Sequence, residues 1–115
     1  METKEFAESI CKFLSDKKAQ DIVKIYVADK TVIADYFIIA SGRSSTQVKA
    51  LCDNLEEHVE TLGVFAKRKE GVSEGRWAVL DFGDVIVHIF NDEQKLFYHL
   101  ERIWGEGEKF KEEDE

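Results

Sequence analysis

The stretch that decides the fold reads Trp77-Ala78-Val79-Leu80-Asp81-Phe82-Gly83-Asp84-Val85-Ile86-Val87-His88-Ile89-Phe90. Two runs of apolar, β-branched and aromatic residues flank Gly83-Asp84. This pattern predicts a β-hairpin with a two-residue turn and glycine at the first central position. In that register three apolar cross-strand pairs share one face: Phe82 with Val85, Leu80 with Val87, and Ala78 with Ile89.

The other face of the predicted hairpin mixes apolar and polar groups: Trp77, Val79, Asp81, Ile86, His88 and Phe90. A three-residue loop would instead press the Asp81 carboxylate into the apolar face, at a cost in free energy unless it were paired. Because a one-residue slip exchanges the two faces, the turn type decides which side chains can meet a partner.

The first half of the chain predicts two amphipathic helices around two strands. The first helix is capped by Thr3 and runs to about residue 18. Strands follow at residues 21–27 and 35–40, and the second lacks alternation, which indicates burial on both faces. Ser44 with Gln47 forms a capping box for the second helix.

The second half predicts a short strand from residue 64, then the hairpin, then a third helix that begins at Asn91 and ends at Gly105. The predicted order is α-β-β-α-β-β-β-α, an α/β fold with a single mixed β-sheet and helices packed on it. Residues 1–104 are predicted to form one domain. Residues 105–115 carry six acids and two lysines and are predicted to be an acidic, disordered tail.

Composition excludes several classes of function. A net charge of −8 over 115 residues disfavours direct nucleic-acid binding and suits a basic partner. No apolar run approaches the roughly 18 residues that span a bilayer. The acidic N-terminus has no signal-like apolar segment, so we expect a cytoplasmic protein without membrane contact. Cys11 and Cys52 are expected to be buried free thiols.

The motifs for catalysis or metal binding are weak. Asp81-Phe82-Gly83 matches a kinase motif in a chain far too short for a kinase, and Ser41-Gly42-Arg43-Ser44-Ser45 fits an ordinary helix cap better than an anion site. Asp81 and Asp84 lack a third metal ligand, and the histidines are isolated from one another. We therefore expect no catalytic residue, no metal, no cofactor and no enzymatic activity.

The surface is more informative than these motifs. Trp77, Asp81 and His88 share a strand face that the core does not obviously need, and Tyr98 and Glu101 lie off the inner stripe of the last helix. Aromatic groups beside charges are typical of a protein interface. The alternative is that a packed helix covers Trp77, and the residues alone leave both interpretations open.

Seven segments together resemble the ribosomal silencing factor family, also called the Iojap family. They are residues 18–22, 34–42, 45–48, 70–71, 75–77, 80–90 and 97–104, which include Ala34-Asp35-Tyr36-Phe37-Ile38-Ile39-Ala40-Ser41-Gly42 and Leu80-Asp81-Phe82-Gly83-Asp84-Val85-Ile86-Val87-His88-Ile89-Phe90. The departures are mild: Lys95 stands where arginine is common and Phe82 where tyrosine is common.

The resemblance implies a fold similar to nucleotidyltransferases without their catalytic carboxylates. It implies binding to a large-subunit ribosomal protein of the L14 type, which blocks association of the ribosomal subunits and represses translation when nutrients are scarce. Carried onto this chain, the expected partner-binding residues are Trp77, Asp81, Asp84, His88, Tyr98 and Glu101. The alternatives are a large-subunit assembly factor, a nucleotidyltransferase-like enzyme and a general adaptor. The sequence does not decide whether the protein forms a homodimer.

Overall fold

The computed structural model describes residues 2–91 and 108–109. The elements in chain order are α1 (Thr3–Asp16), β1 (Gln20–Tyr26), β2 (Tyr36–Gly42), α2 (Ser45–Thr61), β3 (Arg68–Glu70), β4 (Trp77–Asp81), β5 (Val85–Asn91) and β6 (Glu108–Lys109). The predicted mixed α/β class is confirmed. The predicted third helix, with Tyr98 and Glu101, lies outside the described residues.

The strands form one sheet in the order β3-β4-β5-β2-β1-β6. The central pair, β2 and β5, is parallel, and the other pairs of described strands are antiparallel. The sheet is therefore mixed, as predicted, with the β4–β5 hairpin packed beside the long buried strand β2.

The hairpin has the predicted register. Leu80 lies opposite Val87 and Ala78 opposite Ile89. The Phe82 N–H donates to the Val85 carbonyl oxygen at 3.0 Å, which closes a two-residue turn over Gly83 and Asp84. Gly83 has φ +97°, a conformation that residues with a Cβ rarely adopt, and this explains glycine at the first turn position.

One face of the sheet, here called the first face, packs against α1 and α2; the opposite face is called the second face. The apolar hairpin face joins the helix residues in one buried cluster, and Phe6 of α1 meets Phe82 edge-to-face with ring centroids 6.1 Å apart. Cys11 and Cys52 are buried in this cluster as free thiols, as predicted, and burial is the main reason that the pKa of Cys52 rises to about 12. Neither helix in the described part of the chain has the length and apolarity needed to cross a bilayer.

The second face of the sheet carries its own apolar cluster: Val23, Ile25, Val27, Ala34, Phe37, Ile39 and Phe90. Burial of β2 on both faces is thus confirmed. The expectation that the core does not need the face of His88 is wrong, because His88 and Phe90 are both buried there. Alternation along β5 showed which residues share this face, but it could not show that the face is covered.

The helix caps differ in detail from the prediction. Glu2, not Thr3, is the N-cap of α1, and its N–H donates to the Glu5 carboxylate at 3.4 Å. Ser44 caps α2 as predicted and accepts from the Gln47 N–H at 3.1 Å. The capping box is incomplete, because the Gln47 side chain accepts from the Arg43 N–H rather than from that of Ser44.

Two segments also differ from the predicted element boundaries. The strand predicted from residue 64 lies at Arg68–Glu70, because Val64 and Ala66 pack against the helical core and Val64 hydrogen-bonds to Val59 in α2. Within the predicted tail, residues 108–109 form β6 and pair with β1.

Candidate partner-binding site

The hairpin holds Trp77 against His88. Trp77 begins β4, and His88 lies in β5 opposite Val79, so the two side chains are diagonal neighbours on the second face. The Trp77 indole Nε1–H donates to His88 Nδ1 at 3.2 Å. Because Nδ1 accepts this bond, His88 must be neutral there and must carry its proton on Nε2.

Burial keeps His88 neutral. The residue is 8% exposed, and desolvation lowers its pKa from the usual value of 6.5 to about 4. Phe37 and Phe90 lie beside the ring at centroid distances of 5.3 and 6.5 Å, and Nε2 has no hydrogen-bond partner among the described residues. His88 therefore offers little surface to a partner and acts on the site by orienting Trp77.

Trp77 itself is 43% exposed. Its ring leans on Phe90 at a centroid distance of 5.7 Å, and its nitrogen is held by His88. A large aromatic side chain that is fixed on one side and open on the other loses little conformational freedom when a partner covers it. This arrangement suits the anchor of a protein interface.

The turn end of the hairpin presents two carboxylates. Asp81 Oδ1 accepts from the Gly83 N–H at 2.9 Å, and Asp84 Oδ2 accepts from the Thr3 hydroxyl at 3.4 Å. The Asp84 carbonyl oxygen accepts from the N–H groups of Asp35 and Tyr36 at 2.8 and 3.1 Å. Asp35 thus ties the chain just before β2 to the turn through its backbone.

The structure brings the predicted site residues together as two groups. Trp77 and His88 are in contact, whereas Asp81 ends β4 just before the turn and Asp84 is the second residue of the turn. Trp77 and Asp81 share one face of β4, and four residue steps along the strand separate their backbones by about 13 Å. Tyr98 and Glu101 lie outside the described residues. The site is therefore an elongated surface with an aromatic end and an acidic end.

Sequence reasoning missed two residues at the acidic end. The Lys67 N–H donates to the Asp81 carbonyl oxygen at 2.7 Å, and the Lys67 side chain lies over Gly83. Thr3 reaches Asp84 from a position 81 residues away. The basic run at residues 67–69 was visible in the sequence, but its place beside the turn was not, and no pattern linked Thr3 to Asp84.

Across residues 2–91 and 108–109, no group of three or more His, Cys, Asp or Glu side chains could hold a metal ion. The fold and the hairpin together define the class: a small mixed α/β protein whose β4–β5 hairpin carries a candidate protein-binding surface.

The model of the family described as "Ribosomal silencing factor during starvation" matches residues 1–115, and the chain belongs to that family. The predicted resemblance is thus confirmed, and the match includes residues 105–115, beyond the last of the seven segments.

Similar proteins agree with this assignment. The ribosomal silencing factor of Halalkalibacterium halodurans is 35% identical over 92% of this chain and 91% of its own length. That of Zymomonas mobilis is 43% identical over 84% of this chain and 72% of its own. A crystal structure of a Chromobacterium violaceum protein superposes with a TM-score of 0.87 at 31% identity and covers 100% of this chain and 95% of that one.

Proposed function

We propose that this protein binds a large-subunit ribosomal protein of the L14 type at the intersubunit face. Bound there, it occupies the surface that the small subunit needs, blocks association of the two subunits and represses translation under nutrient limitation. The mechanism is steric exclusion, so it requires a stable contact surface and no catalytic group.

The observation that carries this proposal is the Trp77 indole, which is fixed in place by its hydrogen bond to His88. Tryptophan is among the residues that contribute most to protein interfaces, and a half-exposed tryptophan fixed by a buried histidine is a preorganised anchor. His88 belongs to the binding site as a positioning residue, because its acceptor nitrogen sets the plane of the indole.

Charge supports the choice of a basic ribosomal protein as partner. The chain carries a net charge of −8, and Asp81 and Asp84 lie at the acidic end of the candidate surface. Their fixed carboxylates would pair with lysines and arginines of the partner, which favours encounter with a basic surface and specifies its orientation. Tyr98 and Glu101 stay part of the proposed surface.

The proposal is tested by mixing the purified protein with salt-washed small and large subunits and following reassociation by light scattering and gradient sedimentation. We expect the protein to slow reassociation and to sediment with free large subunits but not with joined ribosomes. If the subunits join at the same rate in its presence, the proposed function is wrong.

The site assignment is tested separately by Trp77→Ala. Loss of a central aromatic anchor should weaken binding to large subunits by about 30-fold or more. Tyr26→Ala is the matched control, because Tyr26 is also an exposed strand aromatic, 55% exposed on β1. Equal affinities of the two variants would contradict the assignment of Trp77 and leave the function itself standing.

A further inference from the structure

We propose that the start of β3 and the residues just before it bind ribosomal RNA. Phe65, Lys67 and Arg68 are all exposed in this segment, which is here called the basic edge. Lys67 and Arg68 would contact backbone phosphates, and Phe65 would stack on an unpaired base. The inference rests on the proposed function, because a large ribosomal subunit is the source of RNA next to the protein partner.

Two cations of the basic edge are available to a ligand. Lys67 and Arg68 are both exposed, and neither forms an ion pair with any of the described residues. Lys69 differs, because its ammonium group pairs with Glu56 of α2 at 3.0 Å. Two neighbouring exposed cations in a chain of net charge −8 form a local site for phosphate, since lysine and arginine are among the side chains that contact nucleic-acid backbones.

Phe65 makes RNA a better fit than an acidic protein. Its neighbours Val64 and Ala66 pack against the helical core, so alternation directs Phe65 outward, where it is 65% exposed. An exposed aromatic ring two residues from a lysine and three from an arginine combines stacking with phosphate contact. These are the two recurrent elements of single-stranded RNA recognition.

The position of β3 adds backbone donors. Among the described strands β3 pairs only with β4, so its outer side leaves N–H groups free to bind phosphate oxygens. Arg68 lies opposite Asp81 in this pairing, and the Lys67 side chain covers the turn at Gly83. The basic edge therefore adjoins the acidic end of the candidate site, so a basic protein and neighbouring RNA could be bound at once.

The first test is equilibrium binding of the double variant Lys67→Gln/Arg68→Gln to purified large subunits across a salt series. We expect affinity to fall about tenfold and the slope of log K against log salt to decrease by about 2, one for each lost phosphate contact. Affinity for the isolated L14-type protein should stay unchanged, because the basic edge contacts RNA only.

Lys4→Gln/Lys49→Gln is the matched control, since it removes the same charge from two exposed lysines on the helices. Phe65→Ala should weaken large-subunit binding, and Phe65→Trp should restore it by keeping a stacking ring. Thermal melts of all variants check that the fold is retained.

Three results would overturn the inference: equal losses of large-subunit affinity in the double variant and its control, a loss of affinity that also appears with the isolated ribosomal protein, or an unchanged salt slope.

Ultraviolet cross-linking on wild-type complexes adds a direct readout. An RNA adduct on residues 65–68 supports the inference, and a protein adduct there overturns it. If wild-type protein fails to bind large subunits at all, the proposed function falls and the inference falls with it. If wild type binds and the variants bind equally well, only the inference falls.

Discussion

The two ends of the β4–β5 hairpin are held in place by different kinds of interaction. At the turn end, hydrogen bonds between near neighbours fix the backbone: Gly83 to Asp81 and Phe82 to Val85. At the other end, a single side-chain bond and a set of aromatic contacts hold Trp77 on His88. The Asp81 carboxylate is thus placed by a contact two residues away in sequence, whereas the position of Trp77 depends on burial that many parts of the chain create together.

This difference has a consequence for the site. The Asp81 carboxylate keeps its place as long as the turn forms, and changes elsewhere in the molecule should affect it little. The indole keeps its place only while the second face of the sheet stays packed and His88 stays neutral. The aromatic end should therefore be the more easily disturbed of the two.

The largest effect is expected from Gly71→Ala, which acts on the backbone beside Trp77. Gly71 has φ +74°, and an added Cβ would collide with the Trp77 carbonyl oxygen. Since backbone cannot move aside cheaply, we expect a loss of more than about 3 kcal/mol in the free energy of unfolding, measured by urea titration.

Gly63→Ala is the matched control for this change. Gly63 also has positive φ, +85°, but an added Cβ there has nothing within 4 Å. Its cost should be about 1 kcal/mol, from backbone strain alone. Similar losses in the two variants would show that close approach to Trp77 is not what requires glycine at residue 71.

An intermediate effect is expected from pH, through His88. Its pKa is about 4 in the folded protein and 6.5 ordinarily, so between these values the unfolded chain takes up a proton that the folded chain does not. The free energy of unfolding should fall as pH drops from 6.5 to 4, and His88 should account for at most about 3 kcal/mol of that loss. Below pH 4 the contribution of His88 should no longer change with pH.

His88→Asn isolates this contribution, because asparagine can still accept from the indole but does not titrate. The urea midpoint of both proteins is measured at intervals across this pH window. We expect the variant to lose less stability on acidification than the wild type. Parallel curves would mean that His88 is not held neutral by burial.

The smallest effect on stability is expected at the turn. Asp81→Asn keeps the oxygen that accepts from Gly83, so the free energy of unfolding should change by less than about 0.5 kcal/mol, whereas Asp81→Ala should lose about 1 kcal/mol. Both variants remove the charge and should weaken binding to the isolated L14-type protein alike. A large difference in binding between them would show that turn geometry, not charge, matters to the partner.

The part of the fold that local rules govern was predictable from sequence. The register around Leu80 and Val87 follows from alternation, and the turn follows from Gly83, whose φ of +97° few other residues tolerate. The cap at Ser44 follows from its hydroxyl and the Gln47 N–H three residues later. In each case the partners are close in sequence or repeat with period two.

What could not be predicted depends on distant segments. Burial of His88 arises from a second apolar cluster contributed by β1, β2 and β5. The apolar residues Val64 and Ala66 suggested a strand but pack on the helices instead, while the true strand, Arg68–Glu70, is fully exposed and charged. An exposed edge strand shows no apolar alternation, so the pattern used to find strands fails there.

The exposed, charged edge also limits how copies of this chain could join. A second chain that added a strand beside Arg68–Glu70 would have to lay its backbone along three ionised side chains, one of them already bound to Glu56. Charged residues of this kind are a common device against runaway sheet extension and fibril growth. The short strand β3 thus disfavours extension of the sheet by a second copy at this edge.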